Sequence, residues 1–168
     1  MKTGKKTWLI TGCSSGLGRA FAQEVLKQGY NAIITSRKAD KIQDLADQYP
    51  ETALALSLDI TDSEQITSVI MQAESRFGDI DVLLNNAGYG YRAAVEEGDD
   101  VEVRDLFATI FFGTVSMIKA ILPGMRNRRS GTIFNVSSIG GRFPHPDLVI
   151  TRRQNTPWKG FLTRLVKK

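Results

Sequence analysis

The chain has 168 residues, 42% of them hydrophobic, a net charge of +4 and a single cysteine. That length suits one domain with a real core, and one cysteine excludes a disulfide framework and any cysteine-rich zinc site. The positive charge does not argue for nucleic acid, because residues 151–168 hold six basic and no acidic residues, leaving 16 basic and 18 acidic residues elsewhere. The basic start, Met1 to Lys6, precedes an apolar run far too short for a signal peptide. No stretch is read as the roughly 20 apolar residues of a membrane helix. The expectation is a cytoplasmic protein with no metal, no nucleic-acid partner and no membrane partner.

Strand-like and helix-like segments alternate along the chain. Thr7 to Thr11 reads as a first strand, and Leu17 to Gln28 as a first helix stopped by Gly29. Asn31 to Ser36 is a second strand, Lys38 to Tyr49 a second helix ending before Pro50, and Ala53 to Leu58 a third strand. Thr61 or Asp62 can cap a third helix running to Phe77, with Gly78 as its stop. Asp81 to Asn85 is a fourth strand. A long helical region follows from Val101 to Arg128, with Leu106, Phe107, Ile110, Phe111, Val115, Ile118, Ile121 and Leu122 at helical spacing. Thr132 to Ser137 is the fifth strand. Alternation of this kind predicts an α/β fold of the Rossmann type: a parallel, doubly wound sheet with helices on both faces, incomplete at its C-terminal edge.

In such a sheet a ligand lies across the carboxyl ends of the strands, and the informative residues sit just there. The first strand runs into Thr11-Gly12-Cys13-Ser14-Ser15-Gly16-Leu17-Gly18, a strand, glycine-rich loop and helix in the order a phosphate site requires. Gly12 permits the tight turn, Gly16 lets backbone approach a ligand, and Gly18 lets helix pack on strand, while the first helical amides suit a pyrophosphate. A plain chain reversal is the bland alternative. Arg37 ends the second strand, where an acidic residue would take the ribose diol of NAD; an arginine can instead fork onto a 2′-phosphate, or simply be solvated. Asp59 can accept from an adenine amino group and a nearby amide, or can cap the third helix. Cys13 reads as a small filler, and His145 as a loop residue without a ligand-spaced partner.

TGCSSGLG at 11–18, NNAG at 85–88 and NVSS at 135–138 resemble, in that order, the short-chain dehydrogenase/reductase family in its common branch. The resemblance implies NADP-dependent or, less favoured, NAD-dependent hydride transfer between an alcohol and a carbonyl compound, in an enzyme that is usually a homo-oligomer. It implies that Gly12, Ser14, Ser15, Gly16, Leu17 and Gly18 hold the cofactor with Arg37, Asp59 and Ile60. It further implies that Asn86, Ala87 and Gly88 line the adenine–ribose side, and that Ser138 hydrogen-bonds the substrate oxygen. An epimerase-like extended member is disfavoured by the three-residue gap between Gly12 and Gly16 and by NNAG.

Three departures from the family pattern stand out. Ile110 occupies the slot of a relay asparagine and cannot hydrogen-bond through its side chain. Thr151 and Asn155 stand where the catalytic tyrosine and lysine are expected. The chain reaches Lys168 before the helix, two strands and substrate-covering loop that the family places later. Residues 1–146 therefore read as a partial dinucleotide-binding domain, and 147–168 as an atypical tail. In a frame shifted by one base, codon degeneracy lets 147–168 encode a Tyr-x-x-x-Lys peptide; Trp158-Lys159 then forces a glutamate. The tail is expected to be out-of-frame sequence, with a short amphipathic helix docking on the sheet or an anionic surface as the alternative. Reading the gene through codons 144 to 168 checks this, and a shifted frame without Tyr-x-x-x-Lys rejects it. The activity expected is that of an impaired NADP-dependent oxidoreductase; a non-enzymatic NADP-binding or interaction module is the competing reading.

Overall fold

The computed structural model describes residues 4–137. Five strands, β1 (Thr7–Ile10), β2 (Asn31–Ser36), β3 (Ala53–Ser57), β4 (Val82–Asn85) and β5 (Thr132–Asn135), form one sheet in the order β3-β2-β1-β4-β5. Every pairing is parallel. The order turns back at β1, so the crossover between β1 and β4 is the switch point where doubly wound sheets hold ligands. The expected fold class is thus present.

The helices between the strands are α1 (Gly16–Lys27), α2 (Asp40–Gln48), α3 (Ser63–Phe77), α4 (Asp100–Phe107) and α5 (Thr114–Asn127). Two compact units divide the chain, Met1–Ala87 with Phe112–Val136 in the first and Gly88–Phe111 in the second.

In the first unit, α1 buries Gly18, Ala22, Val25 and Leu26, the four- and three-residue spacing of a single helical stripe. That stripe meets Ile10, Ala32, Ile34 and Leu84 on one face of the sheet, with Ile42, Leu45 and Ala46 of α2 alongside. Because side chains alternate along a strand, the fully buried Leu9, Ile33 and Leu83 serve the opposite face, where α3 and α5 pack on each other. Gly29 and Gly78 end α1 and α3 as expected, and Asp62 is the α3 cap, accepting from the amides of Glu64 at 2.9 Å and Gln65 at 3.1 Å. On β5, the half-exposed Phe134 stacks on Trp8 at 6.1 Å between ring centroids.

One expectation gains a detail and another needs correction. The region from Val101 to Arg128 is helical as expected, but Ala108–Gly113 forms a π-helical turn between α4 and α5. A π turn inserts one residue into the ladder, and because residues 106–112 are nearly all apolar, the shift of phase leaves no trace in hydropathy. The second concerns membrane-spanning potential, since Asp100–Asn127 is long and apolar enough to cross a membrane by length and composition. Lys119 is the sole charged residue between Asp105 and Arg126. Core helices meet the same criterion, and α5 buries Met117, Ile118, Ile121 and Met125, so composition alone assigns no membrane.

The Asp62 cap makes a pH-dependent contribution. Hydrogen bonds from the Gln65 amide and side chain hold its carboxyl below the ordinary value of 3.8. A depressed folded-state pKa gives stability that is present above the unfolded value and lost as pH falls through the folded one. Asp62→Ala is expected to melt a few degrees below wild type at pH 7. The gap should narrow as pH falls below 3.8, as followed by circular dichroism.

Candidate functional site

The glycine loop begins where β1 ends, and its shape is set by the chain end of β4. Asn86 donates through Nδ2 to the carbonyl oxygens of Thr11 and Gly12, both at 3.1 Å. In return the buried Thr11 hydroxyl accepts the amides of Asn86 and Ala87, both at 3.0 Å. Gly12 has φ +73°, and a Cβ there would lie 2.7 Å from the Ala87 Cα. A Cβ on Gly18 would overlap the Gly12 carbonyl oxygen and the Asn86 amide nitrogen. Both positions exclude a side chain, one by conformation and contact, the other by contact alone.

Gly16, with φ +56°, faces open space, and Ser14, Ser15 and Leu17 are exposed. Ser15, the residue before α1, is extended and makes no side-chain cap, and the first turn of α1 carries no acid. The first amides of a 12-residue helix therefore point outward without a side-chain acceptor. That arrangement suits an anion, and the residues present fit a dinucleotide pyrophosphate.

Cys13 is fully buried in this loop, its amide donating to the Thr35 carbonyl at 2.8 Å and its thiol to the Ile10 carbonyl at 3.3 Å. Burial pushes the thiol up to about 12, against smaller opposing effects of the Thr35 backbone bond and the Arg19 charge. Such a thiol is inert as a nucleophile at neutral pH; the filler reading agrees with this environment.

Arg37 is exposed directly after β2, and among the described residues no carboxylate pairs with it. Arg19, by contrast, is committed: it pairs with Asp44 and donates to the Lys41 carbonyl at 3.2 Å. The Arg19 bond is the main reason the Asp44 carboxyl sits below the ordinary 3.8. This α1–α2 tie had no sequence signal beyond two opposite charges 25 residues apart. After β3, Asp59 Oδ1 accepts from the Thr61 amide at 2.9 Å and hydroxyl at 2.7 Å. The cap of α3 is Asp62 and not Asp59, which leaves the second Asp59 carboxylate oxygen for another donor. Ile60 is buried beside it.

In the second unit, Ile110 lies in the π turn, its Cγ2 3.3 Å from where a Gly88 Cβ would stand. A branched aliphatic group, and no side-chain amide, therefore stands beside Gly88. Tyr91 is engaged through its hydroxyl, which accepts the Asp99 amide at 2.9 Å. Ser138, His145, Thr151, Asn155 and the tail from 147 lie outside the described residues. Among the described residues no group of three or more His, Cys, Asp or Glu side chains is placed to hold a metal.

A parallel sheet with a side-chain-excluding glycine loop at its switch point defines a protein of the doubly wound class, in which ligands lie at that point. The short chain dehydrogenase family model matches residues 6–150, and the chain belongs to that family of oxidoreductases, which bind NAD(P). It is 40% identical over 169 residues to an oxidoreductase of Botryotinia fuckeliana (strain B05.10), covering 97% of this chain and 60% of that one. An NADP-dependent 3-hydroxy acid dehydrogenase of Salmonella typhimurium is 32% identical over 82% of this chain and 56% of its own length. A solved structure of a short-chain dehydrogenase from Streptomyces avermitilis superposes with TM-score 0.91 at 39% identity, over 98% of this chain and 61% of that one. The chain spans about 60% of the length of the curated relative and the solved structure that it matches over nearly its whole length.

The buried thiol gives a direct check. Cys13 should stay silent toward Ellman's reagent at pH 8 in the folded protein and titrate as one thiol in urea. The raised folded-state value also means that stability falls with pH between the ordinary 9.0 and about 12, because the unfolded chain releases the proton first. Rapid labelling of the folded protein would contradict this.

Proposed function

We propose that this chain holds NADP at the carboxyl edge of its sheet and is impaired in the proton-transfer half of an alcohol–carbonyl oxidoreduction. The observation that carries the reading is the uncapped N-terminus of α1 behind two glycines that admit no side chain. Arg37 narrows the ligand: exposed, unpaired among the described residues and placed at the end of β2, it suits a 2′-phosphate that a guanidinium can grip with two hydrogen bonds. The Salmonella relative named as NADP-dependent supports the same preference.

When bound, the cofactor supplies or accepts a hydride between an alcohol and the matching ketone or aldehyde. This chain's own residues bind and orient. The amides opening α1, with Ser14, Ser15 and Leu17 around them, hold the pyrophosphate. The free oxygen of Asp59 and the backbone of Ile60 take the adenine edge. Asn86, Ala87 and Gly88 shape the adenine–ribose wall, and Ser138 donates to the substrate oxygen.

Proton transfer in this family reading needs a phenol made acidic by a neighbouring ammonium. Thr151 offers an aliphatic hydroxyl and Asn155 a neutral amide; neither supplies that chemistry at neutral pH. The same two residues, with Ile110, favour the competing reading of a binding module without turnover.

The test combines binding with turnover. NADPH at 100 times its Kd is expected to stabilise the folded chain by about 2.7 kcal/mol. Oxidation of NADPH over a broad panel of ketones and aldehydes should be negligible. Arg37→Ala should weaken NADPH roughly 10- to 100-fold while leaving NADH unchanged, the range of one lost charge-assisted interaction. Robust turnover overturns the impairment, and an Arg37→Ala variant with unaltered NADPH affinity overturns the cofactor preference.

A further inference from the structure

Gly113 ends the π turn and leads into α5, buried and in ordinary helical conformation, with φ −61° and ψ −43°. Any L-residue adopts those angles, and glycine is among the poorest helix formers, so the backbone gives no reason for it. Space does. A Cβ at 113 would lie 2.7 Å from Ile60 Cγ1, 2.9 Å from the Ile60 carbonyl oxygen and 3.0 Å from Ile60 Cδ1.

The Ile60 turn has little room to retreat. The Leu58 amide donates to the Ser36 carbonyl at 2.8 Å, the Asp59 amide to Gln65 Oε1 at 2.9 Å, and the Asp62 amide to the Asp59 carbonyl at 3.1 Å. Gln65 is itself held, its Nε2 donating to Asp62 at 2.8 Å. The turn is therefore wedged between the start of α3 and the bare backbone at 113. A side chain there must displace Ile60 backbone as well as side chain, and backbone held by three hydrogen bonds moves at the expense of its neighbours.

We propose that Gly113 is a positioning residue for the adenine end of the dinucleotide, its missing side chain seating the Asp59–Ile60 turn at the height that the base requires. This rests on the reading of Asp59 and Ile60 as adenine contacts. Gly113 touches no ligand; it acts through Ile60.

The test uses the whole chain with adenosine 2′,5′-bisphosphate, which carries the adenine and 2′-phosphate without nicotinamide. Gly113→Ala is expected to bind it at least about tenfold more weakly by calorimetry. In the unliganded protein, amide exchange should quicken at residues 58–62 and stay unchanged within α1. A folded Gly113→Ala with wild-type affinity overturns the proposal, and so does exchange raised evenly through the sheet, which marks a general structural role. Should the single variant not fold, Ile60→Ala/Gly113→Ala relieves the two side-chain contacts but keeps the one to the Ile60 carbonyl. It should fold and bind more weakly than Ile60→Ala alone; failure to fold, or equal binding, overturns the proposal. A wild-type chain that does not bind the bisphosphate defeats the cofactor reading itself, and this inference with it, before any variant is made.

Discussion

The carbonyl oxygens of Thr11 and Gly12 leave the end of β1 with no strand partner to receive them, and Asn86 accepts the task with one side-chain amide. Buried carbonyls left without donors cost free energy on the order of 1–3 kcal/mol each. The clasp therefore does more than decorate the crossover. It fixes the glycine loop to β4, with the Thr11 hydroxyl closing the pair from the other side. Because Asn86 sits so close, Gly18 has no room for a Cβ, and because Ala87 sits so close, neither has Gly12. The position of α1 follows from these contacts, and the direction of its free amides follows from the position of α1.

That chain of constraints separates structure from chemistry within one short loop. Thr11, Cys13 and Gly18 face inward and build it, while Ser14, Ser15, Gly16 and Leu17 face outward and are left for a ligand. The electrostatics divide in the same way. Arg19 is consumed in tying α1 to α2 through Asp44, whereas Arg37, on the neighbouring strand end, keeps its guanidinium for solvent or a phosphate. The two arginines thus differ in one respect: Arg19 has a carboxylate partner, and among the described residues Arg37 has none.

Much of this was legible in the sequence because its signals are local. Alternating apolar runs gave the five parallel strands, Gly29 and Gly78 the helix stops, and Thr61 or Asp62 the α3 cap, of which the fold uses Asp62. What stayed hidden depends on contacts between distant residues. The π turn at Ala108–Gly113 escaped because a surrounding of apolar residues looks alike in either phase. Gly113 carried a signal, a glycine inside an apolar helical pattern, but its meaning lies in Ile60, 53 positions earlier. The Asp59 ambiguity was settled as regards the cap by which carboxylate the α3 amides reach, which spacing alone leaves open between neighbours. The membrane criterion is met by the mean hydropathy within Asp100–Asn127, although Thr109, Thr114, Ser116 and Lys119 break that stretch as a continuous apolar run.

The amides that open α1 are the feature on which cofactor binding depends. Titrating the ¹⁵N-labelled chain with NADP⁺ and following its amide resonances tests it most directly. The largest shifts are expected at residues 15–18, next to the pyrophosphate, with the Arg37 and Ile60 amides following at the same saturation. Saturable shifts confined elsewhere, or none at millimolar NADP⁺, would contradict the claim that this loop is a dinucleotide site.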